Sequence, residues 1–181
     1  MQSLGSVDVG KMMVMLDRRE YWQCALIIEK GGFDAVKERG LDAFHTMVAT
    51  LAHLGEHAAD EVDSWDKVKL LSVTVDHVKT WAQEGVVLIG DSAHAMSPIG
   101  GAGINYAVQD AIASANILIP AFKKGNVSLP VLQKIQDRRQ KPTLRMQKLQ
   151  VFMQDHVISP LLQGKINVRS LWFMNIFAWF P

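Results

Sequence analysis

The chain has 181 residues, the length of roughly one domain and enough to bury a sizeable core. Its 19 Lys+Arg against 18 Asp+Glu leave a net charge of +1, which argues against a nucleic-acid binder led by bulk charge and against an acidic disordered tail. With 49% hydrophobic and 20% charged residues it reads as globular, and the single cysteine, Cys24, rules out an internal disulfide framework or a multi-cysteine zinc site and suits a reducing, cytoplasmic setting.

The start of the chain lacks the basic patch and apolar run of a signal peptide. No apolar stretch reaches the ~18–20 residues that a membrane span needs. Residues 12–16 and 21–28 are apolar and β-branched runs around a polar turn, Asp17-Arg18-Arg19-Glu20, and predict a hairpin. Residues 33–54 carry apolar side chains at helical spacing, with Gly40 as a break. A polar, acidic loop or short helix follows over 54–66, and 68–75 reads as a strand. Residues 86–89 (VVLI) form a short run of the kind buried on both faces of a parallel sheet. After it comes a loop over 92–103 rich in proline and glycine, then a helix over 104–122. Residues 129–157 are mostly helical, with Pro142 starting or kinking a helix. The closing run 171–181 is aromatic and apolar; it reads as a core-packing segment, with an interfacial anchor as the alternative.

The chemistry concentrates where the predicted strand at 86–89 runs through a glycine loop into a helix. Glycines let backbone approach a ligand closely, and the first turn of a helix offers unpaired N–H groups and the positive end of its dipole. Gly100, Gly101 and Gly103 lie just before or at the helix start, and Asp91 follows the strand. That carboxylate can accept hydrogen bonds from ligand hydroxyls, and Asn105 can both donate and accept. By spacing alone, a plain strand–helix connection explains the glycines equally well. A dinucleotide fingerprint does not fit, since Tyr106 stands where its third glycine belongs.

Residues 86–111, VVLIGDSAHAMSPIGGAGINYAVQDA, closely resemble the flavin-binding segment of FAD-dependent aromatic hydroxylases, the class A flavoprotein monooxygenases. The shared features are the G-D-S-A-H turn, the proline after it, G-x-x-G-x-N, and a helix carrying D-A. Tyr21-Trp22-Gln23, residues 30–33, residues 70–73, Arg138-Arg139 and Pro142-Thr143 look like the same family, so the resemblance covers most of 12–150. It implies an α/β fold: a partial Rossmann-like FAD-binding domain with part of an antiparallel substrate sheet, followed by helices. The expected division is 1–66 for substrate sheet and helix, 67–125 for the FAD-binding part and 126–181 for a helical tail.

The resemblance also implies roles. Gly90 and Asp91 would form the turn that holds the ribityl chain of FAD. Pro98 would lie beside the isoalloxazine ring with its carbonyl facing the substrate, the one candidate catalytic position. Gly100, Gly101, Gly103, Ile104 and Asn105 would line the flavin, and Trp22 and Gln23 would face substrate. His94 reads as a satisfied structural histidine within the turn. The implied activity is hydroxylation of an aromatic or similar electron-rich substrate by oxygen. It would run through a flavin C4a-hydroperoxide, with NADPH or NADH as reductant and no nucleic-acid or membrane partner.

The family's G-x-G-x-x-G unit and its internal D-G motif are absent, so the chain reads as a carboxyl-terminal portion, expected to hold FAD weakly alone and to self-associate or need an amino-terminal half. Its alternative is an inactive fragment or binding remnant, with Lys134, Arg138, Arg139, Lys141, Arg145 and Lys148 as a binding face; a solvated helix face is the favoured reading of that tract. Weaker rivals are a zinc hydrolase using His53 and His57 of H-x-x-E-H and a hydrolase built on Ser92. The first is weakened by Gly55, the second by His94 standing where an elbow needs glycine. No metal is expected.

Overall fold

A continuous apolar run, residues 12–16, forms the middle strand of the first sheet. In the computed structural model, which describes residues 3–8, 10–53, 55, 57 and 59–165, β1 (Ser3–Asp8), β2 (Lys11–Asp17) and β3 (Trp22–Ile27) form an antiparallel meander in the order β1-β2-β3. The β2–β3 register pairs Met12 with Ile27 and Asp17 with Trp22, as expected for a hairpin closed at residues 18–21. Period-two alternation turns Met13 and Met15 to one face, where they are buried with Leu51 and Ala52 of α2 (Leu41–Ala52). α1 (Phe33–Glu38) precedes α2, and Gly40 separates them at φ +85°, a conformation that glycine adopts without strain. Trp65 packs edge-on to Phe33 at 6.1 Å and tilted to Phe44 at 5.4 Å, fixing the acidic loop after α2. α5 (Ser159–Leu162) lies against β2.

The described residues fall into two compact units: one holds the residues up to Ser72 and from Asp155 on, the other Val73–Gln154. The second is built on two long helices, α3 (Ala102–Lys123) and α4 (Leu129–Met153), packed on each other. Its strands are short: β4 (Asp76–His77) pairs with β7 (His94–Ala95), and β5 (Ala82–Gln83) with β6 (Val86–Val87). Every ladder among the described residues is antiparallel.

Two local expectations change. The run at 86–89 contributes only Val86–Val87, in a tight hairpin over Gly85, and Val86 is exposed. Residues 68–75 form no strand, and Leu70 and Leu71 face solvent. In both cases the run has the composition of a buried strand, but among the described residues no parallel strand supplies the backbone partners that such a strand requires. Pro142 neither starts nor ends a helix; α4 passes through it. The run 171–181 lies outside the described residues. No helix among the described residues is long and apolar enough to cross a membrane.

Candidate flavin site

α4 is a polar helix with one buried polar stripe. Gln136, Arg139, Thr143, Gln147 and Gln150 recur at three- and four-residue steps, so they share one face. That face binds the backbone of the segment before α3. Gln136 Oε1 accepts the Trp81 N–H at 2.8 Å, and its Nε2 donates to the Lys79 carbonyl at 2.9 Å. Gln147 Nε2 donates to the Asp76 and Ala95 carbonyls at 2.7 and 2.9 Å. Short, irregular strands leave many backbone groups unpaired, and these amides satisfy them.

At the centre is Asp110 of α3, fully buried. Its Oδ1 accepts Arg139 Nε–H at 2.6 Å, and its Oδ2 accepts His94 Nε2–H at 2.5 Å and Gly90 N–H at 3.0 Å. Trp81, also buried, stacks on His94 at 5.1 Å, and the Arg139 guanidinium lies 5.5 Å over the Tyr106 ring. Burial pushes the Asp110 carboxyl up, but the hydrogen bonds from Arg139, His94 and Gly90 outweigh it and hold the group below the ordinary aspartate value.

This network anchors the 3-10 turn Gly90–Ser92 on α3. Gly90 sits at φ +59°, and a Cβ there would meet the Ala107 Cβ at 3.2 Å, so both backbone and packing demand glycine. Asp91 is left exposed on the turn. Ser92 Oγ donates its proton to the Ile89 carbonyl at 2.7 Å and not to His94, whose Nε2 meets Asp110 and whose Nδ1 is buried without a partner, so no nucleophile–base pair forms.

The loop then runs through Ser97, Pro98 and the 3-10 turn Ile99–Gly101 into α3. Pro98 is exposed; its carbonyl accepts the Gly101 N–H at 3.0 Å, which leaves one lone pair for a ligand. Gly100 and Gly101 lie at φ +75° and +60°, and a Cβ built on either meets nothing within 4 Å. Gly101 caps α3 without a side-chain hydrogen bond, and the first turn of α3 carries no acidic residue. No side chain therefore competes for the N–H groups of that turn, and no acidic side chain in it opposes negative charge. Ile104 and Asn105 are exposed there. Open space over two glycines, a helix N-terminus without a side-chain cap and an exposed carboxylate on the preceding turn fit FAD. The ring's electron-rich edge would meet the N–H groups, and the ribityl hydroxyls would meet Asp91.

The structure thus brings Gly90, Asp91, Pro98, Gly100, Gly101, Gly103, Ile104 and Asn105 onto one turn–loop–helix segment of the second unit. Trp22 and Gln23 belong to the first unit, where both are exposed and Gln23 Oε1 accepts from Arg18 Nε and Nη2 at 3.0 and 2.8 Å. His53 ends α2 in a left-handed conformation at φ +52°, so His53 and His57 do not share a helix face; His57 pairs with Asp60 at 2.8 Å. Among the described residues no group of three His, Cys, Asp or Glu side chains could hold a metal ion. Of the basic tract on α4, Lys134, Arg138, Lys141, Arg145 and Lys148 are exposed and Arg139 is buried. Sequence reasoning missed Asp110, Arg139, Gln147 and Gln150 as site-forming residues. The polar stripe at helical spacing on α4 was the available signal, and it was hidden among the flanking charges.

A glycine loop thus leads into a helix without a side-chain cap, after a turn that exposes Asp91 and is anchored by a buried ion pair. The chain belongs to the FAD-binding domain family, whose model matches residues 8–144. It is 33% identical over 129 residues to 6-methylpretetramide 4-monooxygenase of Streptomyces rimosus, covering 71% of this chain and 31% of that protein. It is 35% identical over 77 residues to 3-demethoxyubiquinol 3-hydroxylase of Escherichia coli K12, covering 41% and 20%. In fold it is similar to PqsL of P. aeruginosa, solved in complex with 2-aminobenzoylacetate, with a TM-score of 0.62 at 18% identity over 91% of this chain and 45% of that one. The chain therefore spans about a third or less of the length of these curated relatives.

Proposed function

We propose that this chain contributes the flavin-holding turn of an FAD-dependent monooxygenase that hydroxylates an aromatic or similarly electron-rich small molecule, with NADPH or NADH as reductant. The observation that supports it best is the exposed Asp91 on a turn anchored by buried Asp110, upstream of a glycine loop and of an α3 N-terminus without a side-chain cap. When bound, FAD supplies the redox chemistry and the activation of oxygen. The chain's own residues bind and orient it: Asp91 holds the ribityl hydroxyls, Gly100 and Gly101 leave room for the ring, and the first turn of α3 stabilises negative charge on the reduced ring. Pro98 borders the reacting edge, and Trp22 and Gln23 are assigned to the substrate side. The division into 1–66, 67–125 and 126–181 and a cytoplasmic location are part of the same reading.

The relatives' dinucleotide fingerprint is not in this sequence, so the chain by itself is expected to bind FAD weakly. It is expected to self-associate, or to act together with an amino-terminal half. The exposed Ile104, Val108, Ile112, Ile119 and Phe122 along the outer side of α3 support this. Titration with FAD, followed by flavin fluorescence and melting temperature, tests the reading. Ligand at a hundred times its dissociation constant should stabilise by about 2.7 kcal/mol. Saturable binding weakened by Asp91→Ala supports the site; binding that ignores Asp91→Ala overturns it.

A further inference from the structure

The geometry points to Gln150, at the far end of α4, as a positioning residue that sets the shape of the loop carrying Pro98. Its amide is buried and brackets Pro98 from both sides. Oε1 accepts the Ser97 N–H at 3.2 Å, while Nε2 donates to the Ser97 carbonyl at 2.9 Å and the Ile99 carbonyl at 3.1 Å. Ser97, itself buried, uses its Oγ to accept the Ile99 N–H at 3.2 Å, and the Gly101 N–H closes on the Pro98 carbonyl.

Pro98 has no N–H, so the loop cannot hold itself by a ladder at that point. A primary amide is the side chain that can offer a donor and an acceptor in one plane and so pair with both edges of a neighbouring peptide. A carboxylate of the same length could only accept; it would lose both bonds to the Ser97 and Ile99 carbonyls and add an unpaired buried charge. Gln150 lies fifty-three residues from Ser97 in sequence, and nothing in the loop itself encodes the contact. The orientation of Pro98, and of the uncapped helix start beyond it, is thus imposed from α4.

This assignment rests on the reading of Pro98 as a flavin neighbour, and its test separates the two. Amide hydrogen exchange is measured on the chain as it exists, with Gln150→Met and with Gln140→Met as control. Gln140 lies on the same helix and donates to the Lys79 carbonyl at 3.2 Å, outside the loop. Gln150→Met is expected to speed exchange about tenfold at Ile99 and Gly101, whose N–H bonds do not involve Gln150, and Gln140→Met to leave them unchanged. FAD affinity should fall several-fold with the first variant only. Unchanged exchange at Ile99 and Gly101 overturns the proposal, as does an equal effect of Gln140→Met. Where the wild-type chain binds FAD, unchanged affinity on Gln150→Met overturns it too. Should the wild-type chain bind no FAD on its own, exchange alone decides whether Gln150 sets the loop. If Gln150→Met fails to fold, Gln150→Asn, which keeps the amide but draws it back by one methylene, must show the same pattern with a smaller amplitude.

Discussion

The carboxylate of Asp110 and the guanidinium of Arg139 form a buried ion pair, Nε to Oδ1 at 2.6 Å, that ties α3 to α4 directly behind the Gly90 turn. The other carboxylate oxygen is shared by His94 and the Gly90 N–H, so one side chain joins two helices and the turn.

Removing one partner of a buried pair leaves the other charge uncompensated. Asp110→Asn should therefore lower unfolding stability by about 3–5 kcal/mol in urea titrations, and Arg139→Met by a comparable amount. The double variant should lose less than the sum of the two, because the pair is a single interaction.

The same pair sets an acid limit. Asp110 has its folded-state value held below the ordinary aspartate value, so it contributes stability above the unfolded value of about 3.9. That contribution is lost as pH falls through the lower folded value. Urea midpoints measured between pH 7 and 2.5 should show an acid decline in the wild type that is shallower in Asp110→Asn. Parallel declines would place the acid sensitivity in other carboxylates.

The glycines of the site should separate by what surrounds them. Gly90→Ala meets both a left-handed backbone and the Ala107 side chain at 3.2 Å, whereas Gly101→Ala meets only the backbone. The backbone cost is about 1–2 kcal/mol in either case. Gly90→Ala should thus lower the melting temperature more than Gly101→Ala, and Gly101→Ala should act mainly on FAD affinity.

The outer side of α3 should govern association. Ile112 is 56% exposed in an apolar row with Val108 and Ile119. Ile112→Lys should shift the chain toward monomer in sedimentation velocity while leaving its far-ultraviolet circular dichroism unchanged. Unchanged sedimentation of an associated wild type would move the contact elsewhere.

Much of this was legible from local pattern. The hairpin at 12–27 followed from two apolar runs around a polar turn, and the break at Gly40 followed from a glycine within a stretch of helical periodicity. The helix that begins beyond the glycine loop was legible in the same way, because turn and helix-start geometry depends on residues close in sequence. The strand predicted at 68–75 did not form, since strand composition expresses itself only where a neighbour offers backbone groups to pair with.

The sequence alone carried the family resemblance, the hairpin at 12–27 and the helices after Gly32 and Gly103, because ordered motifs, turns and helical periodicity depend on residues close in the chain. Only the tertiary structure decided that Asp110, His94 and Arg139 meet, and that Gln150 grips Ser97 and Ile99. These contacts join residues 16 to 53 positions apart. A buried polar side chain must find whichever partner the packed helices bring within reach, and that is set by the docking of α3 on α4, not by its neighbours in the chain.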